Sequence, residues 1–330
     1  MKMFKKLFIT IVPFFLVLAL TACNSGSKVS GSKESVDFPK KTIKIIVGFA
    51  PGGGSDTVAR IIAKELPKHF ENSINMVVEN KPGGSGVVGA TEVINSNPDG
   101  YTLGFTPNGP LVIQPHLGQT TYAYNDAVPI SQVTSVDFVL AVHKDAPWDD
   151  FESFLEDAKA NPGKYSYGVP GANTTGDLAM KALAMETGIE IKSVPFKGGA
   201  PTRTALLGKD VDVIAVNDDD IVPYAKDGDI KLLLNLGEKT YKDYPDLRTI
   251  RDLGYNINST SGYLLFGPKG LPTEIRDTID QAMEKMLQEE SVIEALNKIG
   301  YSIEYMNAID RTKKVEEEYN AYKEIIEKTK

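Results

Sequence analysis

Short apolar runs alternate with amphipathic helical stretches from about residue 43 onward, and the alternation comes in two successive sets. In the first, Ile43 to Val47, Met76 to Val78 and Thr102 to Phe105 read as strands. Val58, Ile62 and Leu66 repeat at helical spacing behind Asp56, which is placed as an N-cap, and Val87 to Ile94 is a further helix. The second set opens with a strand at Phe138 to Val142, a helix from Asp149 to Ala160 and a strand from Tyr165 to Val169. A helix from Thr175 to Thr187, an extended run from Ile191 to Phe196 and a helix from Pro201 to Leu207 follow. Strands at Val211 to Val216 and Ile230 to Leu234 complete that set. A last strand, Tyr263 to Phe266, precedes helices from Thr273 to Glu290 and from about Ala308 to the end. Such alternation implies an α/β protein with mostly parallel sheets covered on both faces. Two sets in one chain place a cleft between lobes, where small ligands bind. The division that follows is a first lobe of residues 37–137 and 258–330, with residues 138–257 inserted as the second. Pattern alone does not show that the tail returns to the first lobe.

The N-terminus sets the compartment. Lys2, Lys5 and Lys6 precede an apolar run from Leu7 to Leu20, too short for a comfortable membrane span and suited to a secretory signal. The run ends Leu20-Thr21-Ala22-Cys23, which resembles the bacterial lipobox. Residues 1–22 are then a signal peptide, and Cys23 carries lipid. Acyl chains contribute roughly 0.8 kcal/mol per buried CH₂, so two or three of them hold a protein firmly to a membrane. Residues 23–36 are mostly Ser, Gly and Lys, a flexible tether. Cys23 is the only cysteine, which excludes an intramolecular disulfide or a cysteine-based zinc site. The formal charge is −8, and −11 once residues 1–22 and their three lysines are gone. With no basic stripe, nucleic acid is excluded as a partner. An anionic ligand would need local dipoles to draw it in.

The strongest local signal is Gly48-Phe49-Ala50-Pro51-Gly52-Gly53-Gly54-Ser55-Asp56, between a strand and a helix start. Consecutive glycines allow close backbone approach, their amides can turn toward an acceptor, and the helix N-terminus adds partial positive charge. It is not a nucleotide loop: a Walker motif ends Gly-Lys-Ser/Thr, and here the chain reads Gly54-Ser55-Asp56. The bland alternative is a tight turn with a capped helix. A second loop of like design, Tyr167 to Asp177, favours the anion site, because Gly171, Ala172, Asn173, Thr174 and Thr175 surround another helix start. Asn80 to Gly86 and Thr106 to Gly109 are further loops on the same edge of the first lobe. Hydrogen bonds to a charged group contribute roughly 1.5–3 kcal/mol each, so four of them, less the cost of association, reach micromolar binding without an arginine.

Phe49 to Asp56, followed by Ala59-Arg60, resembles the first signature of the tripartite tricarboxylate transporter receptors, the Bug or TctC-like family. Asn80-Lys81-Pro82-Gly83-Gly84, Asn97 to Thr102, Val194 to Pro201, Leu207 to Asp212, Tyr244 to Leu247 with Thr249 and Gly254, and Gly267 to Pro272 match in order, over nearly all of the mature chain. The resemblance implies a two-lobed periplasmic-binding-protein fold (type II, the Venus-flytrap) that closes on a tricarboxylate, dicarboxylate or aromatic acid. It also implies that one loop from each lobe pinches a carboxylate, partly through water, and that the ligand passes to a membrane permease. Carried onto this chain, the first pincer is Phe49, Ala50, Gly52, Gly53, Gly54, Ser55 and Asp56, and the second is Gly171 to Thr175. Thr106, Asn108 and Lys197 are further candidates. The family often shows Ser-Gly-Xaa-Gly-Ser where this chain has Val169 to Thr175. Asn217-Asp218-Asp219-Asp220 is also unusually acidic. These acids read as a helix cap before Ile221 with solvated carboxylates; if Asp218 lines the cleft instead, a ligand with an ammonium or several hydroxyls follows.

His69, His116 and His143 share no ligand spacing, so no metal and no cofactor is expected. No Gly-Xaa-Ser-Xaa-Gly elbow follows a strand; Gly84-Ser85-Gly86 is the nearest look-alike. The reading is a monomeric, lipid-anchored extracytoplasmic receptor, not an enzyme. Two alternatives stand beside it: a receptor that signals to a sensor kinase, and an extracytoplasmic hydrolase using Ser55 or Ser85.

Overall fold

Ile43–Val47 forms the first strand, β1, and four of its five residues are buried. Ile43, Ile45 and Val47 pack in one cluster with Val58, Ala59 and Ile62, while Ile46 joins another with Ala90 and Val93. A strand covered on both faces reads as a continuous apolar run, which is why it was legible. The computed structural model describes residues 37–257 and 259–328; the expected signal peptide, Cys23 and the tether lie outside them. The described residues form one compact unit.

The strands are β1, β2 (Met76–Asn80), β3 (Thr102–Pro107), β4 (Ala127–Val136), β5 (Phe138–His143), β6 (Ser166–Val169), β7 (Lys192–Pro195), β8 (Val213–Asn217), β9 (Ile230–Asn235) and β10 (Ser261–Pro268). The helices are α1 (Gly54–Glu65), α2 (Val87–Ile94), α3 (Gly109–Val112), α4 (Phe151–Ala160), α5 (Thr175–Thr187), α6 (Gly199–Leu207), α7 (Asp218–Lys226), α8 (Thr273–Leu287), α9 (Glu290–Lys298) and α10 (Ala308–Lys328). One five-stranded sheet has the order β2-β1-β3-β10-β4 and the other β7-β6-β8-β5-β9.

The sheets are mixed rather than mostly parallel. Strand β1 pairs in parallel with β2 and β3, as β6 does with β7 and β8. Strand β10 is antiparallel to β3 and β4, and β5 to β8 and β9. The antiparallel strands β5 and β10 are the ones the chain enters after passing from one sheet to the other, so no βαβ crossover imposes their direction. Asp137 alone separates β4 from β5 and is fully buried. Its carboxylate accepts from Thr260 Oγ1 at 2.6 Å and from the Lys239 N–H at 2.7 Å, which stitches the two passages between sheets together.

Strand β4 was not foreseen. Its Ser131, Gln132, Thr134 and Ser135 look like loop residues, yet all four are buried. Partners come from far along the chain: Thr134 Oγ1 donates to the Ser302 carbonyl at 2.6 Å, and Gln132 Nε2 to the Glu304 carbonyl at 3.2 Å. Polar groups bury at low cost only when so paired. The expected N-cap of α1 also moves. Gly53 is extended at the cap, and Asp56 is the third helical residue.

Candidate functional site

The two loops expected to oppose each other share one backbone design. Gly52 and Asn173 have φ of +81° and +53°. Each lies two residues before its helix, and each N–H donates to the Asp at the third helical position: Gly52 to Asp56 at 2.9 Å, Asn173 to Asp177 at 2.7 Å. A cation one turn later completes each loop. Arg60 holds Asp56 through two bonds of 3.0 and 2.8 Å, and Lys181 Nζ lies 2.9 Å from Asp177. Burial pushes the Asp56 carboxyl up, but bonds from Arg60, Gly52 and Asn80 outweigh it and hold it below the usual range. These acids tie back the loop preceding each helix and so fix the frame around its first turn, whose N–H groups have no intrahelical partners; that of Gly54 is taken by Asp220.

Between those helix starts lies a cleft lined from both sheets. Phe49, Gly53, Gly54 and Ser55 supply one wall and Thr174 and Thr175 another. Pro107, Pro110, Phe138 and Pro170 make part of it apolar, which suits the carbon frame of a small acid. Hydrogen bonds join the loops beside the cleft: Ser85 Oγ to the Ala172 carbonyl at 2.7 Å, Gln114 Nε2 to the Asn173 carbonyl at 3.0 Å, and the Ala50 N–H to the Lys197 carbonyl at 2.9 Å.

Other expected site residues are near but do not line it. Asp56 and Gly52 shape the first loop. Ala50, Gly171, Ala172 and Asn173 belong to the contacts between loops, and Asn173 Oδ1 is occupied by Lys181 Nζ at 2.6 Å. Lys197 lines a smaller adjoining cleft with Phe49 and Ser85. Thr106 and Asn108 are buried beside the lining residues Pro107 and Gly109, and Asn108 Oδ1 accepts from Ser261 Oγ at 2.6 Å. Asp218 is buried too, but bonds to Tyr241 Oη at 3.1 Å rather than reaching the cleft. Sequence reasoning missed Gln114, Phe138, Ser261 and Tyr263 as lining residues. The last two come from β10, whose return no local pattern announces.

The acidic stretch needs the largest correction. Asp218, Asp219 and Asp220 are not solvated caps; all are buried at the start of α7, and the Asn217 side chain makes no cap bond. Asp220, not Asp218, lines the cleft. Its Oδ1 accepts the Gly54 N–H at 3.2 Å, and Asp219 pairs with the Tyr301 hydroxyl, so both bridge to residues associated with the other sheet. Burial pushes Asp218 and Asp220 up to about 6, with Lys239 and Arg203 respectively opposing the rise. Burial, with Asp220 and Asp218 nearby, pushes Asp219 well above the carboxylate range. Between about pH 4 and 6 the folded protein therefore holds protons that an unfolded Asp has lost, and stability falls as pH rises through that window. Calorimetry should show a melting temperature on the order of 5 °C higher at pH 5 than at pH 7.5, with Asp219→Asn flattening the difference. A ligand-free melting point that climbs toward pH 7.5 would contradict the burial of these acids.

Two mixed sheets flanked by helices, with a cleft between loops of both, define a two-lobed periplasmic-binding-protein fold of type II. Periplasmic binding protein BugD superposes with a TM-score of 0.83 at 26% identity, covering 88% of this chain and 98% of that one. An R. palustris protein solved with adipate gives 0.83 at 27% identity, covering 89% and 98%. The "UPF0065 protein in gbd 5'region" of Cupriavidus necator is 32% identical over 313 residues, 94% of either chain. The family described as "Tripartite tricarboxylate transporter family receptor" matches residues 58–330. The chain belongs to that family of solute-binding receptors. Among the described residues no helix is long and apolar enough to cross a membrane.

Proposed function

We propose that the protein is an extracytoplasmic receptor, lipid-anchored through Cys23, that captures a small organic carboxylate and delivers it to a tripartite tricarboxylate-type permease. The observation that carries this reading is the cleft itself, with the N-termini of α1 and α5 entering it from separate sheets. Amides so placed stabilise a negative charge without a side-chain cation. The adipate bound by the R. palustris relative is a ligand of this chemical kind. In this reading residues 37–137 with 258–330 form one lobe and 138–257 the other, in keeping with strands β1 to β4 and β10 in one sheet and β5 to β9 in the other. Closure of the lobes presents one face to the permease, and the receptor acts as a monomer. The hydrolase alternative is weakened by Ser85, whose hydroxyl is spent on the Ala172 carbonyl, and by a lining without histidine.

Isothermal titration of the mature protein against mono-, di- and tricarboxylates tests the proposal. Micromolar binding by at least one acid, unaffected by chelator, is the expected result. A panel that is silent throughout would remove carboxylate capture as the function.

A further inference from the structure

At the start of α7, side chains of residues 138–257 bond to the rest of the chain. Asp220 Oδ1 accepts the Gly54 N–H at 3.2 Å, the Asp219 carboxyl pairs with the Tyr301 hydroxyl, and Asn217 Nδ2 donates to Tyr263 Oη at 2.5 Å. Parting the two sheets breaks all three bonds and brings water to acids that are otherwise buried. Little positive charge opposes these acids. Arg203 of α6 comes within 3.9 Å of Asp220 but donates to its backbone carbonyl at 2.8 Å. Lys239, after β9, lies 3.6 Å from Asp218 and bonds to the Ser135 carbonyl, while Tyr241 Oη donates to Asp218 at 3.1 Å. Asp137, between β4 and β5, adds a like charge near Asp218. Arg60 of α1 is turned to Asp56, and β10 faces the acids with the Tyr263 hydroxyl. Asp219 is the least compensated: Asp218 and Asp220 flank it, and its Oδ1 is buried without a partner. An ionised carboxylate so placed costs far more than a neutral carboxyl.

We propose, resting on the receptor reading above, that closure of the lobes takes up a proton at Asp219, so that the start of α7 is a latch that tightens capture as pH falls. The sign follows from linkage. Burial raises Asp218 and Asp220 to about 6 and Asp219 well above the carboxylate range. Opening admits water and returns each toward its ordinary value of about 3.9. The closed form therefore binds the extra proton: its advantage is complete below about pH 4 and is lost as pH rises through the closed-state values. Asp219 is not among the cleft-lining residues, so this proton is set by contact between the lobes and not by the charge of a bound acid.

Isothermal titration in buffers of different ionisation enthalpy counts the protons that accompany binding. The probes are succinate, adipate and citrate, joined by any tighter binder from the wider carboxylate panel, with each acid's own ionisation subtracted. An acid that binds should take up about half a proton or more per site at pH 6.5, and its affinity should fall about tenfold or more between pH 6 and pH 8. Asp219→Asn, whose amide imitates the protonated acid, should lose most of the uptake and hold its affinity within about threefold over the same range. Asp220→Asn should keep most of the uptake, which separates the latch from the acid that faces the ligand space and guards against the misfolding of either variant. No uptake by the parent, release of protons, or uptake that survives Asp219→Asn overturns the latch and leaves the carboxylate receptor standing. Silence from every acid overturns the receptor reading and this one with it.

Discussion

Replacing Gly54 with alanine is expected to weaken ligand binding by about 100-fold while leaving the protein folded. A Cβ at this position would overlap the Asp219 carboxylate and the Tyr301 hydroxyl, two fully packed groups that meet beneath the first loop. Relieving the overlap means withdrawing α1 from α7, and that breaks the Gly54 N–H bond to Asp220. Overpacking costs roughly 1–3 kcal/mol and a bond to a charged group contributes about 1.5–3 kcal/mol. Their sum, about 2.5–6 kcal/mol, corresponds to roughly two to four orders of magnitude in affinity, and about 100-fold is its lower end. Because the strain falls between elements associated with different sheets, it opposes closure more than the folding of either sheet. Gly163→Ala is the control. Its φ is +67° and its Cβ would meet nothing within 4 Å, so it should cost a little stability and no affinity. Titration with the tightest acid of the panel, alongside melting curves, makes the comparison. If Gly54→Ala bound that acid within threefold of the parent, close approach of the first loop to the acidic stretch would be irrelevant to capture.

The largest loss of stability is expected far from the cleft, at Glu318. Arg311 in α10 is 0% exposed, and its guanidinium is held by both Glu318 oxygens, at 3.0 and 2.9 Å. Gly262 of β10 leaves room for it: an added Cβ there would sit 3.5 Å from Arg311 Cζ and overlap the Gln132 amide. The pair therefore pins the C-terminal helix against β10 and β4. Removing one member of a buried ion pair costs about 3–5 kcal/mol, because the remaining charge stays desolvated. Glu318→Ala should then lower the melting temperature by roughly 6–15 °C at pH 7. Replacing both, as Arg311→Met with Glu318→Ala, should recover most of the loss, since no uncompensated charge remains. A double variant as unstable as the single one would mean that packing, not charge, is what Glu318 provides.

Local pattern carried much of the molecule. The buried strand Ile43–Val47, the helices α2 and α5 and the two glycine- and threonine-bearing loops were readable because each depends on residues within one or two turns of one another. The Asp at the third position of α1 and α5 was visible as a residue, but not as the acceptor that shapes its loop. In the first loop the local pattern casts it as the cap itself, but a cap accepts from residues after it and Asp56 accepts from Gly52, before it. Strand β4 went unread because Gln132, Thr134 and Ser135 reach partners in Ser302 and Glu304, far along the chain.

What the linear chain determined by itself was its class: alternating strands and helices in two sets, helix starts suited to an anion, and the run of motifs that places it among the tripartite tricarboxylate transporter receptors. Only the tertiary structure decided which residues share the cleft. It placed β10 between β3 and β4, bringing Ser261 and Tyr263 to a site otherwise built from residues far earlier. It also turned three acids that look solvated into a buried wall, and selected Asp220 over Asp218 to face the ligand space. The reason is physical. Helical and strand periodicity act over a few residues, whereas burial and ionisation of a side chain depend on what distant segments bring beside it.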